Sequence, residues 1–150
     1  MKVIPYLMFA GTAEEALDFY ESALGAKIEI VSRFGDTPMP SAEEQKNKIM
    51  HARFTVGGSE VMASDGRPGE QYTGNNVALS IDFEAVEDMK QKFDKLAEGG
   101  KVTMPVQDTF WGATFGMLTD KYGIQWMFNC DKKPDTGIAS AEEKTLDITA

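Results

Sequence analysis

Residues 77–101, VALSIDFEAVEDMKQKFDKLAEGGK, open with alternating apolar and polar side chains and then change to helical spacing. Val77, Leu79 and Ile81 form one face of a predicted strand, with Asn76, Ala78, Ser80 and Asp82 opposite. Val86, Met89, Phe93 and Leu96 then share one stripe of a predicted helix. The chain begins with the same pattern over residues 3–27. Shifted by 74 positions, Val3 falls on Val77, Phe9 on Phe83, Phe19 on Phe93, Ala23 on Ala97, Gly25 on Gly99 and Lys27 on Lys101. Such internal similarity predicts two copies of one structural unit.

The rest of the chain fits that plan. Thr12 and Glu15 form a T-x-x-E capping box ahead of a helix whose buried face is Ala13, Ala16, Leu17, Tyr20 and Leu24. Gly25 supplies its left-handed C-cap. Strands are predicted over 3–9, 27–34, 48–56 and 60–64, the last two joined by the Gly57-Gly58 turn. In 48–56, Met50, Ala52, Phe54 and Val56 face one way and His51, Arg53 and Thr55 the other. Further strands are predicted over 101–106, 115–119 and 124–129. The order is β-α-β-β-β, twice: an α+β fold of two tandem modules, residues 1–65 and 76–130, joined by a turn-rich linker at 66–75. Each helix covers one face of a curved mixed sheet, and the other face forms a concave pocket. Residues 35–47 read as a solvated loop or a lid. Residues 131–150 form a polar tail, free or laid on a partner subunit.

Composition narrows the function classes. With 42% hydrophobic residues, 150 positions fill a real core. A formal net charge of −9 argues against nucleic acid and anionic membrane as partners. Cys130 is the one cysteine, which excludes an intrachain disulfide and suits a cytoplasmic location. The apolar run after Lys2 is short, carries Pro5 and leads into an acidic helix, so it reads as a strand and not a leader.

The candidate chemistry centres on His51, the single histidine. It lies on the polar face beside Arg53, where it could act as a general base or orient a ligand. Glu60, across the hairpin, is its candidate carboxylate partner; the other reading is a solvated turn residue. Asp65 before Gly66 suits a turn, and His51, Glu60 and Asp65 together have no metal-ligand spacing. Trp126 falls on the apolar phase of its strand, for core or dimer packing. Trp111, in the loop with Phe110, could wall a pocket or an interface. Asn76, Ser80, Asp82, Gln125 and Asn129 are polar positions on pocket-facing phases. Met8, Met62, Met117 and Met127 would give adaptable apolar lining or fill the core. Cys130 has no signal of an activated thiol.

Three stretches carry a family resemblance: PYLMFAGTAEEALDFYESALGA at 5–26, MHARFTVGGSEVMASD at 50–65 and DTFWGATFGMLTDKYGIQWMF at 108–128. In this order they resemble the PhnB-like branch of the vicinal oxygen chelate superfamily, with its glyoxalases, extradiol dioxygenases and bleomycin-resistance proteins. The resemblance implies the paired-module fold, a pocket and a homodimer, with subunits that exchange modules in some members. Metal-dependent members take His or Glu ligands at four strand positions, which fall here near Pro5, Met62, Asn76 and Met127. Those residues are poor ligands for a divalent metal, so neither metal nor other cofactor is expected. The expectation is a small-molecule binder whose hollow is lined by His51, Arg53, Met62, Asn76, Ser80, Trp111, Gln125 and Met127. The alternatives are a lyase, isomerase or dioxygenase using a rearranged metal site or His51 and Glu60 as acid and base, and a dimeric scaffold that only assembles. Some PhnB-like proteins are labelled demethylubiquinone methyltransferases, but no glycine-rich loop for a methyl donor is present.

Overall fold

The structure is a computed structural model that describes residues 1–38 and 40–132. Its strands are β1 (Tyr6–Phe9), β2 (Lys27–Arg33), β3 (Ile49–Val56), β4 (Ser59–Asp65), β5 (Leu79–Asp82), β6 (Lys101–Asp108), β7 (Ala113–Thr119) and β8 (Gln125–Asp131). Helix α1 (Ala13–Leu24) follows β1, and α2 (Val86–Ala97) follows β5. The strands form two sheets, in the orders β1-β4-β3-β2 and β5-β8-β7-β6. In each sheet the first strand pairs parallel with the fourth and the remaining pairs are antiparallel. The pairing repeats between modules: Tyr6 lies opposite Met62, and Ser80, 74 positions after Tyr6, lies opposite Met127.

One hydrophobic core serves both modules. Helix α1 buries Ala13, Ala16, Leu17, Tyr20, Ala23 and Leu24, and α2 buries Met89, Phe93 and Leu96. The Tyr20 ring lies 5.7 Å from Phe54 of its own module and 5.5 Å from Trp126 of the other. Trp126 is therefore a core residue. Its indole N–H donates to Asp120 Oδ2 at 2.8 Å, and the Tyr20 hydroxyl donates to the same oxygen at 2.6 Å. Asp120 Oδ1 accepts the backbone N–H groups of Tyr122 and Ile124. A buried carboxylate bonded on both oxygens escapes the penalty of an unpaired buried charge.

The local structure departs from the sequence reading at four places. Residues 76–78 precede β5 instead of opening it, which takes Asn76 off the strand. Residues 3–5 precede the first strand instead of opening it; Pro5 has no N–H to pair, and its carbonyl accepts the Met62 N–H at 2.9 Å. Thr12 makes no side-chain capping bond. The N–H of Ala13 instead donates at 2.9 Å to Asp65 Oδ1, whose other oxygen accepts the Ile49 N–H at 2.9 Å. Asp65 is thus a buried brace between α1 and β3, not a turn residue. Residues 35–47 are partly ordered by short 3-10 turns at Phe34–Asp36 and Glu43–Gln45, and Gly35 N–H donates to the Lys46 carbonyl at 2.9 Å. The expected tail lies outside the described residues from position 133 onward.

Candidate functional site

The sheet face turned away from the helices carries the sequence-predicted candidates. In the first module the register places Tyr6, Met62 and Arg53 side by side on β1, β4 and β3. Tyr6 reaches across β4 and stacks on His51, ring centroids 5.7 Å apart and planes 29° from parallel. Its hydroxyl lies 3.0 Å from His51 Nδ1. A hydroxyl and an imidazole can each donate or accept, so this pair offers a hydrogen-bonding edge beside the apolar Met62. Arg53 donates to Glu29 Oε1 at 2.7 Å, and that hydrogen bond raises the guanidinium pKa.

Glu60 is not beside His51. It lies opposite Thr55, four residues along β3 from the histidine, which is roughly 13 Å by strand rise. Its nearest charged partner is Lys2, at 3.5 Å. Asp65 is committed to two backbone N–H groups. The structure therefore does not bring His51, Glu60 and Asp65 to one point.

In the second module Ser80 faces Met127, and Met127 faces Met117 on β7. Asn129 Nδ2 donates to Asp82 Oδ1 at 3.2 Å. Trp111 packs edge-on against Phe115 at 5.8 Å and Phe110 against Trp111 at 5.0 Å. Trp111 remains 55% exposed and Phe110 97% exposed. Asn76 and Gln125 flank a groove of about 350 Å³ between β1 and β5, where Gln125 Nε2 donates to the Gly74 carbonyl at 2.7 Å. Ser80 and Glu60 line a neighbouring cavity of about 900 Å³ between the hairpin after β3 and β5. His51, Met62 and Met127, on β3, β4 and β8, and Trp111, in the loop between β6 and β7, line neither space.

Of the four positions to which the resemblance assigns superfamily metal ligands, Met62 and Met127 lie on β4 and β8, whereas Pro5 and Asn76 fall outside the strands, before β1 and β5; a proline, two methionines and an asparagine are a donor set that does not fit a hard or borderline divalent ion. Among the described residues no three His, Cys, Asp or Glu side chains converge on a common point. Cys130 is buried. Tyr6 is the site residue that sequence reasoning passed over. It sits in the near-continuous apolar run of β1, and only its phase, shared with Met8, signals the open face.

The family model described as 3-demethylubiquinone-9 3-methyltransferase matches residues 1–128. The crystal structure of protein PA1353 from Pseudomonas aeruginosa is similar, with 41% identity and a TM-score of 0.79, covering 89% of this chain and 99% of that one. The Bacillus cereus PhnB protein shares 33% identity with a TM-score of 0.72, over 87% of this chain and 99% of that one. A glyoxalase/bleomycin resistance protein/dioxygenase superfamily member from Sphaerobacter thermophilus shares the fold, with 17% identity and a TM-score of 0.56, over 87% of this chain and 98% of that one.

Proposed function

Because this chain belongs to the family described as 3-demethylubiquinone-9 3-methyltransferase, the PhnB-like branch of the glyoxalase/bleomycin-resistance superfamily, we infer that it binds a small molecule on the open faces of its sheets, as a homodimer. The observation that carries this reading is the Tyr6–His51 pair: stacked, hydrogen-bonded and set beside Met62, with Tyr6 still 45% exposed. Aromatic and thioether surface flanked by a few convergent polar groups is the usual composition of a small-molecule site. Met127, Met117 and the Trp111–Phe115 pair offer a second such surface on the other sheet. A second copy covering these faces would close a hollow that one chain leaves open.

Methyl transfer has no visible support. The β1–α1 junction, Ala10-Gly11-Thr12, holds one glycine, and the β5–α2 junction, Phe83-Glu84-Ala85, holds none. Neither is the glycine-rich backbone cradle used for nucleotide-like donors. Acid–base chemistry by His51 with Glu60 is disfavoured by their separation along β3.

The test is a thermal-shift screen of aromatic small molecules on the purified chain, paired with light scattering for its mass. Binding raises the melting temperature by stabilising only the folded state. Ligands whose shift disappears in both His51→Ala and Tyr6→Ala, on a dimeric protein, support the reading. A screen without ligands, or ligands indifferent to both substitutions, overturns it. Turnover of a ligand that stops in His51→Ala would move the protein to the enzymes of the fold.

A further inference from the structure

A separate cavity of about 650 Å³ lies beyond the end of β1, roofed by the segment after β2 and the segment after β4. Its volume falls in the range of about 300–1,000 Å³ typical of small-molecule pockets. Its walls are Met8, Phe34, Pro40, Pro68 and Tyr72, two of them aromatic and two of them proline. Its polar lining is Ser41, Gln45, Asp65, Arg67 and Glu70. Asp65 has both oxygens bound to backbone N–H groups. Glu70 accepts the Tyr72 hydroxyl, a bond that raises the phenol's pKa and keeps it neutral. Gln45 Oε1 is buried and, among the described residues, has no hydrogen-bond partner. Arg67 lines the mouth and, among the described residues, forms no ion pair.

An unmatched buried amide oxygen has given up its hydrogen bond to water without a replacement, so a donor that reaches it is favoured. A guanidinium without a carboxylate is a ready partner for an anion. We propose that this cavity is a second binding site, distinct from the sheet faces, for an aromatic molecule that carries one anionic group for Arg67 and one N–H or O–H donor for Gln45. The aromatic part stacks between Phe34 and Tyr72, and the anion sits at the mouth. Met8 on the open face of β1 also forms a wall of this cavity, but His51, Met62, Trp111 and Met127 do not line it, so His51→Ala separates the two sites.

The test uses two fluorescent probes that share one ring system. 1-Anilinonaphthalene-8-sulfonate has an aromatic body, an anilino N–H and a sulfonate; N-phenyl-1-naphthylamine lacks only the sulfonate. Saturable binding of the sulfonate probe to the folded full-length chain is expected. Arg67→Ala should weaken it by about fivefold, the worth of one solvent-facing charge pair. The same substitution should leave the uncharged probe unchanged. Ala42→Trp, which fills the cavity from its exposed rim, should abolish binding of both, and His51→Ala should alter neither. No saturable binding would overturn the proposal. So would equal affinity for the two probes, binding that survives Ala42→Trp, or binding lost in His51→Ala, since the last places the probe on the sheet face.

Discussion

The hydroxyl of Tyr20 donates to Asp120 Oδ2 at 2.6 Å across 100 positions of sequence. It ties the helix of the first module to the last hairpin of the second. Asp120 holds two more donors on its other oxygen and shares Oδ2 with the Trp126 indole. The two modules are thereby joined through one buried carboxylate as well as through apolar packing. Tyr20→Phe keeps the ring and removes one donor to a charge. Urea unfolding should show a loss of about 1.5–3 kcal/mol. Asp120→Ala should cost more, because it strips partners from the Tyr20 hydroxyl, the Trp126 indole and two backbone N–H groups at once.

The same contact predicts a response to alkaline pH. Burial, and then the charge of Asp120, push the Tyr20 phenol far above its ordinary pKa near 10. The folded state thus holds this proton where the unfolded chain has released it. Stability from Tyr20 is complete below pH 10 and declines above it, by about 1.4 kcal/mol per pH unit. Tyr122, pushed up to about 12 chiefly by burial, adds to the decline between pH 10 and 12. Phenolate absorbance at 295 nm should show Tyr20 ionising only as the protein unfolds. Tyr20→Phe should flatten the slope of stability against pH above 10; an unchanged slope would refute the assignment.

Asp65 makes a different kind of link. Its carboxylate faces the N-terminus of α1, where free N–H groups and the helix dipole favour negative charge. Asp65→Ala leaves the N–H groups of Ala13 and Ile49 without partners, and should cost about 2–4 kcal/mol. Both amides should then exchange with deuterium faster than their neighbours. Thr12→Ala, which removes a side chain that caps nothing, should change stability by less than about 0.5 kcal/mol.

These two carboxylates mark where sequence legibility ends. Periodicity identifies both helices and the strand pattern, and of the stripe it assigns to α2 Met89, Phe93 and Leu96 are buried and Val86 partly so, because the side-chain phase is fixed within each element. It cannot say what a stripe packs against. Asp120, just ahead of Lys121-Tyr122-Gly123, carries no periodic signal, and its most distant donor, the Tyr20 hydroxyl, lies in another module. Thr12 and Glu15 have the right spacing for a capping box, yet Asp65 arrives from position 65 and takes the donor. The repeat is uneven at the same point. The register continued by one residue puts Cys130 where Asp65 stands, and α2 has Ala85 at its N-cap position and no side-chain cap. In the candidate site, alternation places His51 on the open face. It gives no register for Glu60, which the hairpin carries to the far end of the strand. Tyr6, the histidine's actual partner, is masked by the apolar run around it.

Two glycines separate a packing cost from a local rearrangement. Gly116 on β7 lies opposite Phe128, and a Cβ there would sit 2.9 Å from both Phe93 Cε2 and Val106 Cγ2. Those neighbours come from α2 and β6 and are held by the core, so Gly116→Ala overpacks it at a cost of about 1–3 kcal/mol. A Cβ on Gly66 would overlap the Tyr72 hydroxyl, the far end of a half-buried side chain that is hydrogen-bonded to Glu70. Tyr72 can swing away, so Gly66→Ala should leave the urea midpoint nearly unchanged. Its effect should appear instead at the cavity, as shifted ring resonances of Tyr72 and altered binding of the anilinonaphthalene probe. A large loss of stability in Gly66→Ala, or none in Gly116→Ala, would show that the core ends elsewhere than these contacts place it.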